Sequence, residues 1–534
     1  MEQTEGYRRR WIALGFMGVS LLVISLDNTV LNLALPSIAK ELGSTASQLQ
    51  WIVDAYVLAI AGLLLTMGYL GDRLGRKPTL QFGLIVFALF SLGAALSKST
   101  DMLIAMRALM GIGAATIMPV TLSILTATFR EPKERAQAIA FWAAIFALGM
   151  GIGPVVGGWL LDNFNWSSVF YINIPVVTVG LVGGYYFIQN SKAENPRKID
   201  VAGALLSITG LFALVYAIIQ AGKDGWTANV VLYAFGAAFV LLTTFIIWEL
   251  KSQNAMLPIH FFKNMSFTGA NVALTLVSFG LMGAMFFLGQ FLQSVQGYTP
   301  FQAGVRILPM AAVLFISAAI SARIADIVGT KFTVGLGILL AAAGLFYFHQ
   351  TAAVNVPYSD IVIAMCITSL GMGFTMSPAT NSVMGAIPVS QSGVGSAMNN
   401  TTRQIGAALG VAVLGTLLNS AYIARIDAVN WPPQLLGQGQ AIDAIRSSVQ
   451  GAHVVAQNIL SSPVLPHQLS QQLSQMIIDQ SNQAFTAGSA HALLVSCIVL
   501  VVASLVTFII LPSRVRAPDT APESTENTPA SPNR

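Results

Sequence analysis

The sequence predicts an all-helical integral membrane protein built as two six-helix bundles with a further pair of helices inserted between them. Three observations carry this. The chain of 534 residues is 55% hydrophobic and only 9% charged, whereas soluble domains run near about 25% charged, so it lacks the polar side chains to cover a water-facing surface. Fourteen stretches stay apolar for the roughly 20 residues that a helix needs to cross a bilayer, and the mean hydropathy is +0.70. One short motif, Asp-x-x-Gly-x-Lys, follows both the second and the tenth of those stretches. Two parallel six-helix halves flanking an inserted pair would place it so. That is a transporter architecture, with the substrate site between the halves near mid-membrane.

The stretches lie at about 11–33, 50–70, 80–97, 102–125, 137–161, 167–189, 200–220, 228–248, 267–294, 303–323, 331–349, 360–384, 402–424 and 489–512. The first is too long, and too closely followed by others, for a cleaved signal peptide. Basic residues in the connecting segments set the orientation. With the N-terminus in the cytoplasm, the inner segments hold 20 of the 27 Lys and Arg and the outer ones 5, while Arg107 and Arg306 fall within spans. A multi-pass protein of the cell membrane with both termini cytoplasmic is expected. The net charge of +5 is this inner-face bias and gives no ground for a nucleic-acid partner.

Residues 1–190 are expected to form the N-terminal bundle, 191–262 the inserted pair with its loops, and 263–512 the C-terminal bundle. The last contains an outer segment, 425–488, rich in Gln, Ser and Pro. Its stretch AIDAIRSSVQGAHVVAQNIL reads as an interfacial helix, a flap over the outer mouth, or a solvated excursion. The tail, 513–534, has the composition of a disordered segment. Cys366 and Cys497 fall inside apolar spans as small hydrophobes, so neither a disulfide nor a metal site is expected. A monomer surrounded by membrane lipid is the expected assembly.

Ionisable groups inside membrane helices are costly and are functional candidates by default. Asp27 lies in span one, Asp54 in span two and Arg107 in span four. Helical rise puts them roughly 13, 8 and 9 Å from the outer ends of their spans, at comparable depth in one bundle. Burial disfavours a charged carboxylate and a neighbouring Arg favours it. Either aspartate therefore suits a group that is ionised when open to water and protonated when sealed. A fixed Asp–Arg pair that only ties helices together is the competing reading. Arg107 cannot lose its proton, so it tunes a neighbour or anchors helices.

In GMGIGPVVGG of span five, Gly149, Gly153 and Gly157 recur every four residues on one helix face, beside Pro154 and Gly158. Small faces let helices pack closely, and proline removes a backbone hydrogen bond, so this helix is expected to bend or slide. The loop GYLGDRLGRK carries Gly68, Asp72, Arg73, Gly75, Arg76 and Lys77, echoed by Asp326, Gly329 and Lys331. An acidic–basic turn at a helix end can pair across the inner face when it closes and part when it opens.

LDNTVLNLALP (26–36), GYLGDRLGRK (68–77), RALMGIGAA (107–115), GMGIGPVVGG (149–158) and NWSSVFYINIPV (165–176) occur in this order. Together they resemble the major facilitator superfamily, and within it the fourteen-helix drug:proton antiporters of the QacA and EmrB kind. The resemblance covers essentially the whole chain. It implies the major facilitator fold and efflux of lipophilic, cationic drugs or toxic amphiphiles. The proton gradient would drive it without a cofactor, with Asp27, Asp54 and Arg107 at positions tied to coupling. The chain departs from that pattern in its second half. MNNTTRQIG (398–406) has Asn399, Asn400 and Gln404 where some relatives carry acids, so a single lipophilic cation or a weakly charged amphiphile is the expected cargo. Asn32, Trp142, Asn173, Met282, Met285, Phe286, Phe374, Asn399, Asn400 and Arg403 are candidates to line the cavity, with lipid-facing packing as the alternative for the apolar ones.

Export of one specific metabolite, lipid or siderophore is the rival within transport, and a passive channel the rival outside it. A membrane enzyme lacks support, because the five histidines lie in loops or at helix ends and no HExxH occurs.

Overall fold

The computed structural model describes residues 9–129, 131–192, 200–252, 259–387, 392–432, 435, 439–461 and 465–513. Fourteen helices among them are long and apolar enough to cross a membrane, and helices are the structures that satisfy a lipid-immersed backbone internally. The first bundle comprises α1 (Arg10–Leu42), α2 (Ala46–Leu74), α3 (Arg76–Ala95), α4 (Thr100–Thr128), α5 (Pro132–Asn163) and α6 (Asn173–Phe187), the last entered through a single turn at Ser168–Tyr171. The inserted pair is α7 (Val201–Asp224) and α8 (Asn229–Lys251). The second bundle starts with α9 (Met265–Gln290), which runs on through a π turn at Phe291–Val295. It continues with α10 (Pro300–Val328), α11 (Thr330–Thr351), α12 (Tyr358–Gly385) and α13 (Ser392–Asp427). Two short helices, α14 (Gly439–Ser447) and α15 (Val449–Leu460), precede the final α16 (His467–Ile510). With an even number of crossings, both chain ends share one face, here the terminal face. The other is the distal face.

The halves repeat each other in packing. The α1–α5, α2–α4 and α3–α4 contacts of the first have counterparts in α9–α13, α10–α12 and α11–α12 of the second. The glycines explain part of this. An added Cβ at Gly149, Gly153 or Gly157 would run into Ser25, Thr29 and Val30 of α1. Gly406 and Gly410 of α13 meet the backbone of Thr275 and Phe279 on α9 in the same way. Helix starts repeat too. Thr45 caps α2 in a capping box with Gln48, and Thr299 caps α10 in one with Gln302, each satisfying two amides that the helix leaves open.

The motif loops form matching joints. Gly75 and Gly329 have φ of +117° and +99°, a region open to glycine. Arg76 then donates its amide to Ser191 O at 2.9 Å, and Thr330 to Ser513 O at 3.0 Å. Each loop is thereby tied to the chain just beyond the last helix of its own half. The side chains differ. Asp72 pairs with Arg76 in its own loop at 2.8 Å, and Lys77 Nζ donates to Tyr185 O at 2.6 Å. Arg73 and Asp326 are exposed, and Thr330 stands where the first half has Arg76. The pairing expected across the terminal face is made inside one loop instead. Arg10 and Glu134, 2.6 Å apart, join α1 to α5 near the same face.

Three helices outrun their hydropathy; one, α13, starts at Ser392 rather than near 402 and so takes Arg403, counted above with the inner segments, into the span. α1 continues through Pro36 to Leu42, past the expected end near 33, because one proline costs a hydrogen bond without ending a packed helix. α16 starts at His467 rather than 489, since its opening turns, HQLSQQLSQMIIDQSNQ, are polar and stand beyond the apolar run. The outer segment folds against this extension: α15 packs on α16, on the π turn and on α1. Gln450 donates to Gln290 and Ser294 at 3.2 Å each, while Tyr422 donates its hydroxyl to Ile445 O at 2.8 Å. It lies as a flap on the distal end. The tail expected to be disordered falls, apart from Ser513, outside the described residues.

α7 occupies the seam between the halves. It packs on α2 and on α13, with Trp51 5.2 Å from Phe212 between ring centroids and Thr416 donating to Ile218 O at 3.1 Å. α8 packs on α7, and its outer face, including Tyr233 and Phe239, is exposed.

Candidate functional site

Of the three ionisable residues singled out in the first bundle, the structure joins two and turns the third away. Asp27 is 17 residues from Arg10 and 15 from Leu42, so it sits at the middle of α1, about 22 Å from the distal end. The sequence placed it nearer that end because the apolar run finishes before the helix does. Arg107 Nη1 meets Asp27 Oδ2 at 2.5 Å, and Arg107 Nε donates to Ile52 O at 3.2 Å. Its guanidinium lies 4.0 Å over the Tyr56 ring. Asn173 of α6 donates to Asp27 Oδ1 at 3.2 Å and to Ser91 Oγ at 3.1 Å, and Ser91 donates to Phe170 O at 2.9 Å. Asp27 and Arg107 are 3% and 1% exposed. Two charges out of water hold their ground only when paired and hydrogen-bonded all round, and here they are. Asn173, expected along the cavity, belongs to this buried network.

Asp54 stands otherwise. It is 0% exposed, and neither carboxyl oxygen has a hydrogen-bond partner. Ile52 and Tyr56 use the side of α2 that faces α4. A residue two positions from either points to the far side of the helix. That far side faces α13. Gln50, one turn from Asp54, packs its amide on Gly415 of α13. Asp54 therefore lies on the seam between the halves, one turn below a small cavity lined by Gln50, Gln290, Asn419, Tyr422, Ser448 and Gln450. An ionised carboxylate there has no compensating group.

The named contacts between the halves lie towards the distal face. Gly158 of α5 meets the backbone of Pro300 and Phe301, Gly304 of α10 meets Pro154 O, and Gly289 of α9 meets Asn32 O. Gln293 donates to Leu33 O at 2.9 Å, and Thr299 to Asp162 at 2.8 Å. The glycine motif thus works on two sides, Gly149, Gly153 and Gly157 against α1 and Pro154 and Gly158 against α10. Gly68 lies against Pro119 of α4.

The other cavity candidates divide. Trp142 donates its indole N–H to Thr121 of α4 at 3.2 Å. Phe286 adjoins the cavity beside Gln50. Met285 borders an apolar void inside the second half with Leu345 and Met365, Met282 packs on the core, and Phe374 packs on Gly337 of α11. Asn399 Oδ1 and Arg403 Nε are enclosed without partners, while Asn400 is half-buried. Tyr56, Ser91 and the capping residues carried no signal in the sequence, since hydroxyls are common in membrane helices.

Comparison with known proteins adds the following. The Major Facilitator Superfamily model matches residues 17–411. The chain is 34% identical to the "Multidrug efflux pump LfrA" of Mycolicibacterium smegmatis, over 93% of this chain and 95% of that one. It is 36% identical to a "Methylenomycin A resistance protein" of Streptomyces coelicolor, over 76% and 85%. Among solved structures it is similar to a bacterial homolog of the human lysosomal transporter Spinster in an inward-facing, unoccupied conformation. That match has a TM-score of 0.64 at 16% identity, covering 94% and 97% of the two chains.

Proposed function

The chain belongs to the Major Facilitator Superfamily, and from that premise we propose that it expels lipophilic drugs from the cytoplasm in exchange for protons, with Asp54 as the proton carrier. It is a membrane transporter and not an enzyme. The excess of basic residues on the terminal face supports placing that face in the cytoplasm of a cell-membrane protein. The distal end is then the closed one, held by the glycine contact of α5 with α10 and by α1 with α9, with Asp54 sealed in its seam.

The observation that carries the reading is the contrast between the two acids. Asp27 has a permanent counter-charge in Arg107 and one further hydrogen bond, from Asn173. Asp54 has none, and sits on the seam that opening would wet. When the α2–α13 seam parts towards the outside, water reaches Asp54 and a proton is taken up as cargo leaves. Closing the seam strips that water and keeps the carboxyl neutral. Opening to the cytoplasm lets the proton go, and the carboxylate is again available to a cargo with one positive charge. Arg107 and Asp27 keep α1, α2 and α4 together as one rigid wall through the cycle.

The test is ethidium accumulation in proteoliposomes under an imposed pH gradient. Asp54→Asn is expected to bind ethidium more weakly and to equilibrate it passively while failing to concentrate it. If Asp54→Asn concentrates ethidium as the wild type does, the proton carrier lies elsewhere.

A further inference from the structure

Arg403 is a half-buried charge that this cycle does not use. It lies on α13, 11 residues from Ser392 and 24 from Asp427, and so within the membrane on the terminal side of the centre. The other two arginines inside spans are provided for. Arg107 has Asp27. Arg306, whose Nε is likewise enclosed without an acceptor, still donates through Nη1 to Gln302 O at 3.3 Å and stacks on Tyr298 at 4.0 Å. Arg403 makes no hydrogen bond, ion pair or ring contact among the described residues, and its Nε is enclosed without an acceptor. One turn away on the same face, Asn399 is 4% exposed, with its Oδ1 equally unpartnered.

The internal repeat indicates which way this face points. Gly406 and Gly410 hold α13 on α9 as Gly149 and Gly153 hold α5 on α1. Seven residues before the first glycine of each pair stand Asn399 and Trp142. Trp142 reaches across to Thr121 of α4. The same direction in the second half turns Asn399 and Arg403 towards α12, the counterpart of α4, and α12 does touch α13.

A guanidinium held in a membrane without a counter-charge is expensive, and no acid among the described residues neutralises it. Its planar fork matches a carboxylate in two parallel hydrogen bonds. We propose that Arg403 and Asn399 form an anion-accepting subsite, so that the preferred cargo is a lipophilic amphiphile carrying a carboxylate. The acidic group docks on Arg403 with the Asn399 amide beside it, and the aromatic or aliphatic body lies between the halves. This also accounts for the missing acids of MNNTTRQIG: the second wall recognises the opposite charge. The inference deepens the efflux reading and rests on it for the cargo's path.

The probes are a rhodamine with a free carboxylate and its methyl ester, which share one cationic ring system. Binding is read by fluorescence polarisation on the full-length protein in lipid nanodiscs, and transport in proteoliposomes under a pH gradient. The wild type is expected to bind the acid about tenfold or more tightly than the ester, as a charge-assisted hydrogen bond would give. Arg403→Gln is expected to erase that preference while leaving ester affinity unchanged. Arg403→Lys, which keeps the charge and loses the fork, retains part of it and serves if the Gln variant does not fold. Equal binding of acid and ester by the wild type overturns the proposal. So does an equal loss of both probes in Arg403→Gln, which marks a packing role. If the acid binds in the expected pattern but the gradient drives neither probe, antiport fails and the subsite stands. If the gradient drives both while Arg403→Gln leaves acid binding untouched, the subsite fails and antiport stands.

Discussion

Gly158→Ala puts one methyl group where α5 crosses α10. The added Cβ would stand 2.5 Å from Pro300 O and 2.7 Å from Phe301 Cα. Ordinary contact begins near 3.4 Å, so the helices must part by about 0.9 Å at the crossing. Both obstructing atoms belong to the backbone, and no side-chain rotation relieves the clash. Overpacking of this kind costs about 1–3 kcal/mol. The cost falls only on the distally closed state, because the crossing separates when that end opens. At tenfold per about 1.4 kcal/mol, the closed-to-open ratio should drop by a factor of about 5 to 140. The assay is disulfide formation in Asp162→Cys/Thr299→Cys, whose native side chains meet at 2.8 Å across the same crossing, with Cys366 and Cys497 replaced by Ala. Crosslinking should slow in Gly158→Ala, by up to that factor. Gly15→Ala, where an added Cβ meets nothing within 4 Å, should not slow it. An unchanged rate in Gly158→Ala would refute the assignment of this crossing as the distal gate.

Asp27→Ala strands Arg107 in the bundle and should cost about 3–5 kcal/mol, whereas Asp27→Leu/Arg107→Met should recover most of it; thermal unfolding of the purified variants decides, and a single variant as stable as wild type contradicts the pairing. The flap should loosen in acid. Burial holds the His453 imidazole below its usual value, with its hydrogen bond to Asn482 pulling the other way. A base depressed in the docked state resists protonation, so docking is strongest above the ordinary histidine range and weakens as pH falls below it. Limited proteolysis of 425–466 should accelerate on acidification in the wild type and not in His453→Gln. Gln450→Ala, which loses two hydrogen bonds worth about 1 kcal/mol each, should be cut faster at every pH.

The fourteen spans were legible because lipid demands apolar length, and that demand is written in composition. Their ends were not, because α1 is carried past Pro36 by packing and the first turns of α16 are polar. Asp27, Asp54 and Arg107 stood out as charges among apolar residues. Their division did not. Spacing on α2 does put Asp54 opposite Ile52 and Tyr56, but only the fold reveals that one side meets α4 and the other α13. Asn173 was singled out through its motif, while Ser91 and Tyr56, which complete the same network, are a hydroxyl and a phenol like many others in the chain. The repeat was visible in one loop motif. Its deeper echoes, the paired capping boxes and the glycine stripes of α5 and α13, needed coordinates, because different residues perform the same task in each half.

The position of α7 has a consequence for how a greasy compound gets in. Two seams run up the sides of the molecule, where the halves face each other. One, between α2 and α13, is filled by α7 and backed by α8. The other, between α5 and α10, has no such plug among the described residues. A compound coming sideways from the bilayer would meet a helix-plugged seam on one side and a bare one on the other, so the molecule has a front and a back in the plane of the membrane.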